Sequence, residues 1–191
     1  MSLLRRREMM QTESHTELDY LEAVDLAYID TEYIPTDNTA FEFEAMFSER
    51  SFIQYGAIIS DNGYQRFHGG CENDRIVIYI SSHGSLAKTN DGLYHKYYIS
   101  RELCRLDDNE QAATIDKIPE ISLYIMNRNA RNINQNFSYK INRCRYAKIY
   151  ENDELVRHYI PVLKGGMYCM YEQIQGKYYY NVAGVGYFTG G

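Results

Sequence analysis

The sequence lacks the features that mark several classes of protein. It contains no tryptophan and only 3 prolines in 191 residues, and no low-complexity or collagen-like stretch is visible. The net charge of −6 argues against a dedicated nucleic-acid partner, which needs a concentrated basic face. No apolar run is long enough to cross a bilayer, so no membrane partner is expected. The 4 cysteines show no C-x-x-C spacing; we interpret them as reduced core residues, with a disulfide as the alternative.

The N-terminal segment has a basic cluster but no apolar region after it. Arg5, Arg6 and Arg7 precede a polar stretch, so the pattern is not that of a signal peptide. We expect synthesis in the cytoplasm without a signal peptide and association with a virion. Residues 1–17 are predicted to form an arm outside a single domain that covers residues 18–191. The three arginines then anchor the arm on a partner; the alternative is a solvated tail.

What the chain does contain favours β structure. It has 20 tyrosines, and 45% of its residues are hydrophobic, a composition that suits strands with half-buried surfaces. Residues 41–47 alternate, with Phe41 and Phe43 on one face and Glu42 and Glu44 on the other. About ten to thirteen such short strands, separated by turn signals, predict an all-β antiparallel sandwich of two sheets. A short helix is expected only near residues 108–113. Gly69 and Gly70 are predicted to break a strand.

Four segments resemble a known family. Residues 148–161 read KIYENDELVRHYIP, and residues 166–181 and 184–188 follow with a tyrosine- and glycine-rich pattern. Residues 28–39, YIDTEYIPTDNT, match the opening of the same family. This set is similar to the concanavalin A-like, laminin-G-like jelly rolls found in phage virion proteins and in surface proteins of gut bacteria. The chain departs from the pattern at Glu32, where the family has glycine, and at His158, where it has aspartate.

The first of these segments also has a direct physical interpretation. Asn152 and Asp153 predict a tight hairpin turn. Pro161 is expected to end the strand pairing, because proline has no N–H to donate. These residues are therefore interpreted as determinants of the fold. Residues 91–117 do not follow the family pattern and are where a separate function is expected.

The resemblance implies a jelly-roll sandwich of the concanavalin A-like lectin or glucanase type, a fold that hosts many functions. The expected function is a non-catalytic binding or assembly module in a phage tail, baseplate or decoration protein. Its expected partners are other virion proteins, further copies of itself and a cell-surface glycan. A free carbohydrate-binding lectin and a glycoside hydrolase are the two alternatives.

Sugar recognition needs aromatic rings beside polar and cationic groups. Two stretches mix these types, and they supply the candidate ligand-binding residues; core packing or a protein interface would explain the same rings. The candidates are Tyr64, Arg66, His68, Tyr94, His95 and Tyr97.

The sequence gives only weak support for a catalytic site or a metal site. Glu42 and Glu44 are the only acids placed like the paired carboxylates of a retaining glycosidase, yet solvated strand-face glutamates explain them better. Residues 107–110 and 61–62 offer oxygens for calcium without the spacing of a known loop. The histidines show no zinc spacing. We therefore predict no catalytic residues, no metal and no cofactor.

Overall fold

The computed structural model describes residues 14–48, 51–59, 65–79, 85–113, 117–130 and 141–191. Arg5, Arg6, Arg7 and Tyr64 lie outside these residues, as does the Asp61–Asn62 turn. The described residues form strands and turns without a helix, and so none of them belongs to a helix that could span a membrane. The strands are β1 (Thr16–Glu17), β2 (Leu21–Val24), β3 (Ile29–Asp30), β4 (Thr39–Phe47), β5 (Ser51–Ile59), β6 (Gln65–Asn73), β7 (Arg75–Tyr79), β8 (Ser85–Thr89), β9 (His95–Ile99), β10 (Leu103–Leu106), β11 (Asn109–Ala112), β12 (Tyr124–Ile125), β13 (Arg128–Ala130), β14 (Asn142–Glu151), β15 (Glu154–Lys164), β16 (Met167–Glu172), β17 (Lys177–Tyr179) and β18 (Tyr187–Gly190).

Within the described residues the strands form two sheets. The larger sheet has the order β11-β10-β9-β4-β14-β15-β16-β17, with β1 added beside β15, β2 added beside β14 and β18 added beside β2. The smaller sheet has the order β3-β12-β5-β6-β7-β8, with β13 beside β5. Pairing is antiparallel except between β13 and β5, which is parallel. The predicted all-β sandwich of two sheets is thus confirmed at this level.

Alternating side chains of both sheets form one core. In β4 the residues Phe41, Phe43, Ala45 and Phe47 are all fully buried, as the alternation predicts. The ring of Phe43 stacks on Tyr55 of the smaller sheet with centroids 4.7 Å apart and on Tyr97 at 4.5 Å. The Tyr55 hydroxyl donates a 2.6 Å hydrogen bond to the side chain of Asn142, so its polar end is satisfied inside the core.

The glycine pair at positions 69 and 70 does not break β6, which continues to Asn73. Gly69 faces the core, where an added Cβ would lie 3.2 Å from Tyr97 and 3.2 Å from Ile78. The glycine therefore gives the tyrosine ring space.

The helix expected near residues 108–113 is also wrong. Those residues form the turn at Asp107 and Asp108 and the strand β11, whose four side chains are exposed.

The hairpin of β14 and β15 has the predicted two-residue turn. Asn152 and Asp153 both adopt positive φ, 51° and 64°, as a type I′ turn requires. The expectation that Pro161 ends the pairing is wrong. Pairing with β14 ends two residues earlier, at Tyr159, but Pro161 pairs with Met170 of β16 inside an unbroken strand. Beyond the end of its pairing with β14, the same edge of β15 pairs with β1 at Val162 and Leu163.

The segments that carry the family resemblance contact one another. The Glu151 carboxylate accepts hydrogen bonds from the hydroxyls of Tyr33 at 2.8 Å, Thr36 at 2.6 Å and Thr39 at 2.8 Å. Burial raises the pKa of Glu151, but these three hydrogen bonds together lower it by a larger amount. The pKa of Glu151 is therefore below its usual value. The Asn181 side chain accepts from the Tyr28 backbone N–H at 3.2 Å. These residues join the start of the domain to its closing strands.

Glu32 has a backbone conformation that explains why glycine is expected at this position. Its φ is 58°, and its N–H donates to the Asp30 carboxylate at 2.8 Å in a local turn. The left-handed region costs a residue with a Cβ about 1–2 kcal/mol, and the exposed ion pair with Lys177 compensates little of that cost.

We therefore expect Glu32→Gly to raise the free energy of unfolding by about 0.5–1 kcal/mol, because the turn loses its strain while the unfolded chain gains some entropy. Urea denaturation measures this change. Glu32→Ala is the control, since it removes the ion pair but keeps the Cβ. Equal stability of the two variants would show that strain at this position is negligible.

All four cysteines are buried, and none of them forms a disulfide. Burial raises the pKa of Cys104 to about 12 and that of Cys169 to about 11, so both thiols stay protonated at neutral pH. The predicted role as small, reduced core residues is confirmed.

Candidate functional site

The predicted ligand-binding residues lie in three places. Tyr97 is fully buried and contributes packing to the core. His95 lies on the inward side of the same strand, at its end. Tyr94 lies beside the outer face of the larger sheet, whereas Arg66 and His68 lie on the outer face of the smaller sheet. The two stretches chosen from the sequence therefore do not form one site.

His95 belongs to a network of charged groups. Its Nδ1 lies 2.8 Å from the Asp107 carboxylate and its Nε2 lies 2.8 Å from that of Asp91. Lys88 Nζ adds a 3.0 Å contact to Asp107. The hydrogen bond with His95 is the main cause that lowers the pKa of Asp91. Both ring nitrogens of His95 are thus engaged and only 4% of the residue is exposed, so its imidazole has no free donor for a ligand. The network joins β8, β9 and the β10–β11 turn.

The outer face of the larger sheet carries a row of polar side chains that crosses five strands. The strand register places Arg105 beside Tyr98, Tyr98 beside Glu42, Glu42 beside Lys148 and Lys148 beside His158. These residues come from β10, β9, β4, β14 and β15 in turn. Alternating charges in neighbouring strands stabilise such a face.

This row lines an open groove. Two neighbouring depressions, of about 260 Å³ and 310 Å³, share the side chain of Tyr98. We call the two together the polar groove. One depression is lined on the sheet by Glu42, Lys96, Arg105, Tyr146 and Lys148. The other reaches the loops at the end of the sheet and is lined by Asp37, Asn38, Thr39, Arg101, Glu102 and Asn152, among others.

A cationic side chain lies over the aromatic rings of Tyr98 and Tyr146 in the polar groove. The Arg105 guanidinium lies 5.6 Å from the centre of the Tyr98 ring, and its Nε and Nη2 both donate to one carboxylate oxygen of Glu110. Lys148 Nζ lies 4.8 Å from the Tyr146 ring and 3.6 Å from Glu42. These contacts favour the observed ring orientations.

Both phenols of the groove remain hydrogen-bond donors at any physiological pH. Burial is the main cause that raises the pKa of Tyr98, with Asp153 adding to it. Burial and the neighbouring Glu42 raise the pKa of Tyr146. The floor thus carries the Tyr98 hydroxyl, the Glu42 carboxylate with its hydrogen bond to Tyr146, and the Lys148 ammonium within a few strands.

The two glutamates considered for catalysis both lie on this face. Glu42 pairs with Lys148, and Glu44 accepts a 2.9 Å hydrogen bond from Arg145. A retaining glycosidase needs one carboxyl of its pair to carry a proton, whereas each of these has a cation beside it. Their arrangement matches cross-strand ion pairs better than an acid and a nucleophile.

Tyr94 lies next to the groove in a similar stack. The Arg145 guanidinium is 3.9 Å from the centre of its ring, and Arg143 covers the ring of Tyr20 at 4.4 Å. The Tyr94 hydroxyl is buried without a hydrogen-bond partner in the described structure. Its ring is therefore already covered by a guanidinium, and its hydroxyl is buried rather than presented at the surface.

Most residues of the polar groove are not among the candidates predicted from the sequence. Tyr98 directly follows the candidate Tyr97, and Lys148 belongs to the segment 148–161 that carries the family resemblance, whereas no sequence motif indicates Tyr146. Within the described residues, no group of three or more histidine, cysteine, aspartate or glutamate side chains is placed to hold a metal ion.

Comparisons of the chain with models of known families, with curated proteins and with solved structures find no match, so the candidate site depends on its geometry alone.

Proposed function

We propose that the chain is a non-catalytic binding module, with a jelly-roll fold of the concanavalin A-like type, whose polar groove binds a glycan chain. The observation that carries the proposal is the row Arg105–Tyr98–Glu42–Lys148 on one exposed sheet face. A sugar presents hydroxyls that both donate and accept hydrogen bonds and an apolar face of C–H groups. The groove supplies matching partners for both.

The shape of the groove supports an extended ligand. Tyr98 lines both depressions, and the residues that line the two extend from the sheet to the loops near Asn152. Such a course suits several consecutive sugar units better than one. The alternative reading as a solvated ion-paired face explains the charges but not the tyrosines between them, whose rings stay partly exposed.

The module is further proposed to work within a larger assembly, a virion in particular. This part of the proposal is supported only by the resemblance of four segments to virion proteins, namely residues 28–39, 148–161, 166–181 and 184–188. A chain that remains monomeric, and that joins no particle when produced together with the proteins encoded beside its gene, would contradict it.

We expect Tyr98→Ala to lower the affinity for a glycan by about tenfold or more, because the shared wall of both depressions is removed. A glycan array, run with bacterial and host glycans, identifies a ligand for the wild-type chain, and titration calorimetry then compares the variants. Tyr187→Ala is the matched control, since Tyr187 is 56% exposed on β18, outside the groove.

Either of two results would overturn the glycan assignment. One is an array on which the wild-type chain binds nothing. The other is a glycan ligand whose affinity falls equally in the Tyr98 and Tyr187 variants, which would place the binding site elsewhere.

A further inference from the structure

The two depressions of the polar groove differ in charge. In the one on the sheet, which we call the sheet depression, each carboxylate that lines it or contacts its cations belongs to an ion pair. The pairs are Glu42 with Lys148, Asp107 with Lys88 and Glu110 with Arg105. Lys96 also lines the sheet depression but forms no ion pair with any residue that the structure describes. The sheet depression therefore has an excess of one positive charge, although the chain as a whole has a net charge of −6.

Lys96 has two carboxylates beside it, and both are engaged elsewhere. On one side the strand register places Glu44 of β4 next to Lys96, but Glu44 accepts a 2.9 Å hydrogen bond from Arg145. On the other side Asp107 accepts the backbone N–H of Lys96 at 3.0 Å with one oxygen, and its second oxygen lies 2.8 Å from His95 Nδ1. The ammonium group of Lys96 is therefore exposed and has no carboxylate left to neutralise it.

A second cation of the sheet depression can join Lys96. Tyr98 follows Lys96 by two residues on the same face of β9, and the register places Arg105 on the far side of that ring. The side chains of Arg105 and Glu110 are 46% and 50% exposed, and an ion pair in that position is weak in water. The guanidinium can therefore turn toward an anion on a ligand at little cost.

The depression near the loops, which we call the loop depression, has the opposite sign. Its arginine, Arg101, is paired with Asp37. Glu102 and Asp153 also line it, and neither forms an ion pair within the described part of the chain. The charge of Asp153 reaches the shared ring, because it adds to the rise in the pKa of Tyr98 that burial causes. An acidic sugar unit is repelled in the loop depression and attracted in the sheet depression.

We propose that the glycan of the polar groove is acidic, with a carboxylate or sulfate group bound by Lys96 and Arg105 in the sheet depression and an uncharged unit over the loop depression. This inference rests on the proposed function, since it specifies the class of ligand for the same groove. The ammonium and guanidinium groups form charge-assisted hydrogen bonds with the acid group, while Tyr98 contacts the apolar face of the sugar. The opposite charges of the two depressions also set the direction in which the glycan chain lies.

The test compares a glycan with its own uncharged derivative. On an array that carries uronic-acid, sialic-acid and sulfated glycans beside neutral ones, the strongest signal of the wild-type chain should come from an acidic glycan. Carboxyl reduction or desulfation of that glycan identifies the acid group and should lower the affinity, measured by titration calorimetry, by about tenfold or more. Lys96→Met should lower the affinity for the acidic form by about fivefold and leave that for the uncharged derivative unchanged. Lys96→Arg, which keeps the charge, should bind nearly as the wild type does.

Lys117→Met is the matched control, because Lys117 is an exposed lysine, paired with Glu120, that lies outside both depressions. It should bind the acidic glycan as the wild type does. A wild-type chain that prefers neutral glycans, or a Lys96→Met variant that loses the same affinity for both forms of the glycan, would overturn this inference while the glycan-binding function stands. An array without any signal would overturn both.

Discussion

Replacing Glu172 with alanine should lower the free energy of unfolding by about 2–4 kcal/mol, because three backbone N–H groups lose their acceptor at once. The carboxylate is fully buried. Its oxygens accept hydrogen bonds from the backbone N–H groups of His158 at 2.9 Å, Ile174 at 3.0 Å and Gln175 at 2.6 Å. The side chain thereby holds the turn after β16 against β15. Chemical denaturation monitored by tyrosine fluorescence measures the loss.

Two further variants show whether the hydrogen bonds are the cause. Glu172→Gln keeps one acceptor oxygen but turns an NH₂ group toward one of the three N–H donors, so its loss should be smaller than that of the alanine variant. Glu154→Ala removes an exposed glutamate from the start of β15 and should change stability by less than about 0.5 kcal/mol. A Glu172→Ala variant as stable as Glu154→Ala would show that water replaces the carboxylate without cost.

The second large effect is a loss of stability in mild acid. Burial is the main cause that holds the pKa of His68 well below its usual value, and Arg128 and Arg66 add to it. The unfolded chain protonates this histidine near pH 6.5, so below that pH the unfolded state binds one proton more than the folded state. The free energy of unfolding then falls by up to about 1.4 kcal/mol per pH unit, or about 2 kcal/mol between pH 6.5 and 5.

Replacing His68 with phenylalanine should remove most of this pH dependence, because the ring against Tyr79 is kept and the titrating group is lost. His158→Phe is the matched control. Burial and Lys148 lower the pKa of His158 too, but that residue is only half-buried, so its variant should keep most of the slope.

Denaturation curves at several pH values between 5 and 8, in chloride, give the comparison. The carboxylates contribute at lower pH. Asp91, whose pKa is lowered by its hydrogen bond with His95, keeps its stabilising effect above about pH 4 and loses it only below that value. Identical slopes for the wild-type chain and the His68 variant would contradict the prediction.

The fold class could be predicted from the sequence because alternation is a local property. Phe41, Phe43 and Phe47 mark one side of β4 as buried, and the structure buries all three. The paired positive φ values at Asn152 and Asp153 follow from residue types that tolerate them. The resemblance to the jelly-roll family stays a prediction.

The polar groove could not be predicted in the same way. Alternation shows which side of a strand is solvated but not which strands become neighbours. Glu42 and Lys148 are far apart along the chain, and only the pairing of β4 with β14 brings them together. The errors at Gly69 and Pro161 share a cause. Both residues usually interrupt strands, yet here the Tyr97 ring needs the space at Gly69, and Pro161 remains paired with Met170.

The four buried thiols have a practical consequence. Cys71 lies on β6 of the smaller sheet, while Cys104, Cys144 and Cys169 lie on β10, β14 and β16, spread across the larger sheet. An alkylating reagent can reach each sulfur only when its own strand separates from its neighbours. Mass spectrometry that follows the modification of each cysteine over time would therefore show whether the edges of the sandwich open before its centre or whether the whole molecule opens as one unit.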